Sequence, residues 1–133
     1  MNRDNLPWQG ATPAAVHWSK SGSPTSEAFG DIYYSQDDGA DESRHVYLQG
    51  NDLPQRWHHH PRNHFCIGET GFGTGLNFLI TWQAWRESPE PRPDLHYISV
   101  EKYPLTRQDL ARALDSWPDL TTLAQPLLRA YPA

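Results

Sequence analysis

The residues best placed to do chemistry are Glu69-Thr70-Gly71-Phe72-Gly73-Thr74-Gly75 and, further on, Glu101. Alternating glycines allow a tight turn through backbone angles that side chains disfavour, and they let a ligand lie directly against the backbone. Glu101 comes 32 positions after Glu69 (residue 69 to residue 101), about one βαβ unit on. A carboxylate at that point can accept hydrogen bonds from both hydroxyls of a ribose. The two features together describe a nucleoside site. The spacing is G-x-G-x-G, not the G-x-G-x-x-G of dinucleotide sites, and an acid precedes the first glycine by two positions. That carboxylate, Glu69, would repel a pyrophosphate and attract a cationic amino group. S-adenosylmethionine carries such a group and a sulfonium, so it fits better than NAD. Three other readings stay open: a tight βα turn with no ligand, a nicotinamide-dependent oxidoreductase built on the same sheet, and a non-catalytic nucleoside-binding module.

Such a site needs a strand, a turn, a helix and a second strand in that order. His64 to Glu69 reads as a short buried strand, and Leu76 to Arg86 as a helix. Leu76, Phe78, Leu79, Ile80, Trp82 and Trp85 spread around much of that helix, which predicts heavy burial. Pro89, Pro91 and Pro93 end it. Leu95 to Val100 is the second strand. Thr106 is positioned to cap a helix reaching about Trp117, with Asp109 at the capping-box position. Leu110, Leu114 and Trp117 form the inner stripe of that helix. Asp119 can cap a last turn over Leu120 to Ala124, which Pro126 should break. The expected fold is α/β, a Rossmann-like partial parallel sheet with a right-handed crossover. Two strands alone leave the sheet with bare edges, so more strands or a partner should complete it.

Upstream, residues 1 to 26 are rich in Pro, Ser and Gly and suggest an irregular arm. Ile32-Tyr33-Tyr34 and His45-Val46-Tyr47-Leu48 are β-favouring runs, with turn chemistry at Asp37-Asp38-Gly39 between them. They are expected to pair as a hairpin. Asn51 to Asn63 reads as a connector. The expected division is therefore an arm and hairpin region over 1–63 and the Rossmann-like half over 64–133.

Composition narrows the function. The 133 residues carry 11 Lys+Arg against 16 Asp+Glu, a net charge of −5. The acidity is local: Glu27, Asp31, Asp37, Asp38, Asp41, Glu42 and Asp52 face only Arg44 in that stretch. No basic stripe of the kind that binds nucleic acid unaided is visible, so any RNA should be held weakly. No segment approaches the roughly 20 apolar residues of a membrane helix. The polar start lacks a secretion signal, and a cytoplasmic location is expected. Cys66 is the single cysteine, which excludes an internal disulfide and a cysteine-based zinc site. It should be an inert packing residue in the first strand. His58, His59 and His60 with His64 do not make a metal site, because three adjacent residues cannot converge on one ion from regular structure. With Arg56 and Arg62 they suggest a modest phosphate-contacting edge or a solvated connector. Trp82, Trp85 and Trp117 fall at helical core positions.

At this point a family resemblance becomes visible. Phe29 to Ser35, Val46 to Trp57, Glu69 to Leu79 and Ser99 to Leu105 together resemble the methyltransferase domain of the bacterial bifunctional tRNA-modifying MnmC family. The match runs over roughly residues 17 to 130. The resemblance implies S-adenosylmethionine-dependent methylation of the aminomethyl group on the wobble uridine (position 34) in the tRNA anticodon loop, giving a methylaminomethyl group. It implies Glu69, Gly71, Gly73, Thr74, Gly75, Asn77, Glu101, Lys102 and Tyr33 as cofactor-binding residues. Lys102 would border the adenine pocket or point to solvent, and Tyr33 would stack on the cofactor or the target base. Asp31 is the candidate acid for shaping the amine pocket, with the main acidic segment expected beyond Ala133. The family's domain continues past that position, so a C-terminal half is an expected partner. The family's second domain, an FAD-dependent oxidoreductase, has no counterpart in this chain, so FAD is not assigned to it.

Overall fold

The computed structural model describes residues 11–20, 22–27, 33 and 39–132. The N-terminal arm is not irregular throughout. Strand β1 (Val16–Trp18) pairs antiparallel with β2 (Pro24–Ser26), Val16 opposite Ser26 and Trp18 opposite Pro24. The connection closes where Gly22 donates to the Ser19 carbonyl at 2.9 Å with φ of 87°, a value open to glycine. Ser23 N–H also donates to Ser19 Oγ at 3.0 Å. Local serine and glycine chemistry thus supplies a hairpin that composition alone disguised.

The hairpin expected further on is not formed by His45–Leu48. Helix α1 (Gly39–Ser43) runs on through π-helical turns at Arg44–Leu48 and a 3-10 turn at Gln49–Asn51. Alternation in so short a run cannot be told from one helical face. Tertiary contact decides: Leu48 is buried in the core while Val46 stays exposed. Ile32, Tyr34, Asp37 and Asp38 lie outside the described residues. The expected connector contains a short helix, α2 (Gln55–His58), whose Trp57 is buried and donates its indole N–H to Ser88 Oγ at 3.1 Å.

The central unit matches the sequence pattern. Strand β3 (His64–Thr70) leads through the glycine turn into α3 (Leu76–Glu87), and β4 (Asp94–Val100) returns parallel to β3. The register places His64 opposite Asp94, Cys66 opposite His96 and Thr70 opposite Val100. This is an α/β fold with a two-stranded parallel sheet, preceded by a small antiparallel hairpin. Side chains alternate across the sheet. Phe65, Ile67, Leu95 and Tyr97 point to the covered face, while Cys66, His96, Ile98 and Val100 are exposed on the other. Cys66 is therefore not the buried packing residue expected, because its strand has only one covered face.

Helix α4 (Arg107–Leu114) starts as predicted, with Thr106 Oγ1 accepting from Asp109 N–H at 3.2 Å. It holds the β1–β2 hairpin in place: Trp18 donates to Asp109 Oδ1 at 3.3 Å and lies under the Arg112 guanidinium, 4.2 Å from the ring centre. After a 3-10 turn (Pro118–Leu120), α5 (Thr121–Ala130) contains Pro126 instead of stopping before it. Proline costs that helix a hydrogen bond to the Thr122 carbonyl. Thr122 faces solvent, and Leu123 and Leu127 on the opposite side pack on the core, so burial holds the helix together. The core joins Leu48, Leu53 and Trp57 to Phe65, Leu79, Ile80, Leu110 and Leu120, so residues on both sides of position 63 share it.

Candidate functional site

The glycine turn sits at the carboxyl ends of β3 and β4, where open α/β sheets bind ligands. Gly71 N–H donates to the Val100 carbonyl at 2.8 Å, which carries the sheet ladder into the turn. Gly71, Gly73 and Gly75 all take positive φ, 83°, 56° and 73°. The last two show different needs. A Cβ at Gly75 would lie 2.9 Å from the Phe72 ring, so packing forbids it. Among the described residues, a Cβ at Gly73 would meet the Tyr33 ring alone, at 3.6 Å, an ordinary contact.

Glu101 closes the turn from the neighbouring strand. Its Oε2 accepts from Gly73 N–H at 3.0 Å and its Oε1 from Tyr103 N–H at 3.1 Å. A carboxylate has about four acceptor positions, so both oxygens retain capacity for a ligand. Between these groups lies a cavity of about 540 Å³, lined by Tyr33, Glu42, Ser43, the Gly71–Thr74 turn, Asn77 and Glu101 among others. The Tyr33 hydroxyl is held above its ordinary pKa first by burial and then by the Glu101 charge, so it stays a neutral donor.

Glu69 does not line the cavity. Its carboxylate accepts from Ser99 Oγ at 2.8 Å and from Asn77 Nδ2 at 3.4 Å. Asn77 does line the cavity and accepts from Ser43 Oγ, so Glu69 acts on the space through one intervening amide. Glu69 also stands beside a tyrosine pair, Tyr47 and Tyr97, whose hydroxyls are 2.7 Å apart. Thr74 is buried at the head of the turn. Lys102 is exposed, its ammonium 5.3 Å from the Tyr103 ring centre and outside the cavity lining. Asp31 lies outside the described residues. The structure therefore brings together Tyr33, Gly71, Gly73, Thr74, Asn77 and Glu101, sets Glu69 one residue back, and leaves Lys102 aside. Glu42 and Ser43 were missed by sequence reasoning. The acidic stretch that contains Glu42 was visible, but with α1 unrecognised nothing aimed it at the turn.

Comparison with known proteins bears on this arrangement. No protein-family model matches the chain. It is 47% identical over 133 residues to the tRNA 5-methylaminomethyl-2-thiouridine biosynthesis bifunctional protein MnmC of Aliivibrio fischeri, covering 96% of this chain and 20% of that protein. It is 52% identical over 122 residues to the protein of the same name from Aeromonas hydrophila, covering 90% and 18%. The chain belongs to the MnmC family. It spans about one fifth of the length of these curated MnmC relatives. Among solved structures, MnmC2 from Aquifex aeolicus superposes with a TM-score of 0.54 at 22% identity, over 80% of this chain and 38% of that one, a likeness of fold. Three of the four MnmC-like blocks of the sequence fall on the helical run from Val46 through α2, on the glycine turn with the start of α3, and on the end of β4 with its following loop; the fourth, Phe29 to Ser35, lies outside the described residues except for Tyr33. Among the described residues, no helix is long and apolar enough to cross a membrane.

Proposed function

We propose that this chain binds S-adenosylmethionine and serves methylation of the aminomethyl group on the wobble uridine of tRNA, giving 5-methylaminomethyl-(2-thio)uridine. The observation that carries the proposal is the Glu101 carboxylate at the end of β4, hydrogen-bonded to Gly73 N–H across the turn, with both groups facing one cavity. The residues present fit the cofactor. Glu101 has free acceptor capacity for ribose hydroxyls, and the bare backbone at Gly71 and Gly73 allows close approach. Two carboxylates, Glu42 and Glu101, line the cavity and a third, Glu69, stands behind Asn77. That acidity suits a ligand with an ammonium and a sulfonium and opposes a pyrophosphate. The MnmC relatives, named for biosynthesis of this modified uridine, support the tRNA assignment.

When bound, the cofactor supplies an electrophilic methyl group on a good leaving group. The protein's own task is then alignment. Holding donor and amine in line can supply on the order of 7–11 kcal/mol of the barrier in favourable cases. Glu101 and the glycine turn would hold the donor's ribose, and Asn77, oriented by Glu69 and Ser43, would face its charged tail. Tyr33 offers an aromatic face beside Gly73 for the donor or for the uracil ring. The attacking amine must be neutral, so a nearby carboxylate or water takes its proton; Asp31, which lies outside the described residues, is the candidate for shaping the amine pocket. FAD has no assigned place in this chain.

Calorimetric titration with S-adenosylmethionine and, in parallel, NADH tests the proposal. Saturable binding of the first alone is the expected result. Binding of NADH instead would overturn it in favour of an oxidoreductase. Cofactor binding without methyl transfer to tRNA bearing the aminomethyl uridine would reduce the chain to a binding module.

A further inference from the structure

A second concavity runs along the uncovered face of the sheet, from the connector before β3 up to Ile98. Its volume is about 830 Å³. Two arginines, Arg56 and Arg62, and four histidines, His59, His60, His64 and His96, line it, and no carboxylate does among the described residues. The chain from Leu53 to Gly68 likewise contains no Asp or Glu, in a protein whose net charge is −5. Asp94, opposite His64 in the register, is the acid the strand pairing brings nearest. The groove is built from ordered elements. Arg56 extends from α2 over the Phe65 ring at 5.8 Å, and His60 meets the same ring edge-on at 5.2 Å. His64 and His96 pair edge-to-face across β3 and β4 at 5.7 Å. Ile98, 61% exposed, forms part of the apolar floor.

We infer that this groove binds the phosphate backbone of single-stranded RNA. Guanidinium groups pair with phosphate oxygens, in bidentate fashion where geometry allows. Exposed imidazole and guanidinium planes also give unstacked bases surfaces to lie on, which an acidic peptide could not use. The groove runs up the strands as far as Ile98, opposite Gly68, and the glycine turn follows Thr70, so its near edge is about 7 Å from the turn end of the sheet at about 3.3 Å per residue. A strand of several nucleotides can reach both. The inference stands on the groove alone and does not depend on which cofactor the glycine turn takes.

The test uses the full chain and a fluorescein-labelled 12-nucleotide oligouridylate, with binding followed by anisotropy from about 50 to 200 mM KCl. Two arginine–phosphate contacts predict a slope of log K against log salt of about −1.4, a roughly sevenfold loss over that range. Arg62→Glu with His59→Glu changes two exposed side chains and spares Arg56, which packs on Phe65; it should at least halve the slope. The milder Arg62→Gln with His59→Gln, expected to remove about 0.7 of slope, carries the test should the acidic pair not fold. No binding at 50 mM salt, or a slope that neither pair changes, would overturn the groove assignment. Equal affinity for poly-L-glutamate would overturn RNA as its occupant. S-adenosylmethionine affinity should be the same in both pairs, which separates this result from the reading of the glycine turn.

Discussion

Replacing Glu101 tests the candidate site most directly, because one side chain both shapes the turn and faces the cavity. Its two oxygens accept from Gly73 N–H at 3.0 Å and Tyr103 N–H at 3.1 Å. Glu101→Ala removes the charge, both acceptors and the proposed ribose contact. A hydrogen bond to a charged group contributes about 1.5–3 kcal/mol. At 1.36 kcal/mol per decade, loss of the ligand contact alone should weaken S-adenosylmethionine binding roughly 10- to 150-fold in calorimetry. Glu101→Gln separates the two roles. Its amide oxygen can still accept from Gly73 N–H, so the turn should persist. It offers a donor where the second carboxylate oxygen was and carries no charge, so affinity should still fall at least tenfold. Thermal unfolding should rank wild type above Gln and Gln above Ala. Unchanged affinity in Glu101→Gln, with the protein folded, would remove the carboxylate from the site and refute the ribose assignment.

Gly73→Val and Gly75→Ala should fail differently. At Gly73 the added side chain enters the cavity beside Tyr33, so binding should be lost, with a drop in melting temperature from the strained φ of 56°; at Gly75 the clash with Phe72 at 2.9 Å adds to strain at φ 73° and should appear mainly as lost stability. Alkaline titration should also be informative. Tyr97 is held far above its ordinary pKa by burial, by the Tyr47 hydroxyl and by the Glu69 charge, and Tyr47 is raised mainly by burial. The folded protein binds these protons more tightly than the unfolded chain does. Their stabilisation is therefore complete below about pH 10, the ordinary tyrosine value, and is lost as pH rises further. The urea midpoint should fall above that pH, and less steeply in Tyr97→Phe; an equal fall in both would refute the assignment.

The strand–turn–helix–strand unit was legible because several local signals agreed. β-favouring runs, alternating glycines, an apolar helix and the Thr106–Asp109 cap all specify the same order, and each acts within a few residues. The glycine turn and Glu101 were legible for the same reason, since a βαβ unit brings both to one end of the sheet. The errors came where local signals were weak or opposed. Val46 and Leu48 alternate like a strand, yet packing of Leu48 makes the run helical. Pro126 opposes a helix that buried leucines keep.

What the sequence by itself determined is therefore the parallel unit, its glycine turn and the acid that faces it, because short-range sterics and hydrogen bonding decide these. Only the tertiary structure decided that Glu69 stands behind Asn77 and that Glu42 and Ser43 reach the cavity. It also decided that Cys66 is exposed, and that the histidines of the connector meet His96 in a groove. Those outcomes depend on which face of each element is covered, and that is settled by the contacts of residues far apart in the chain.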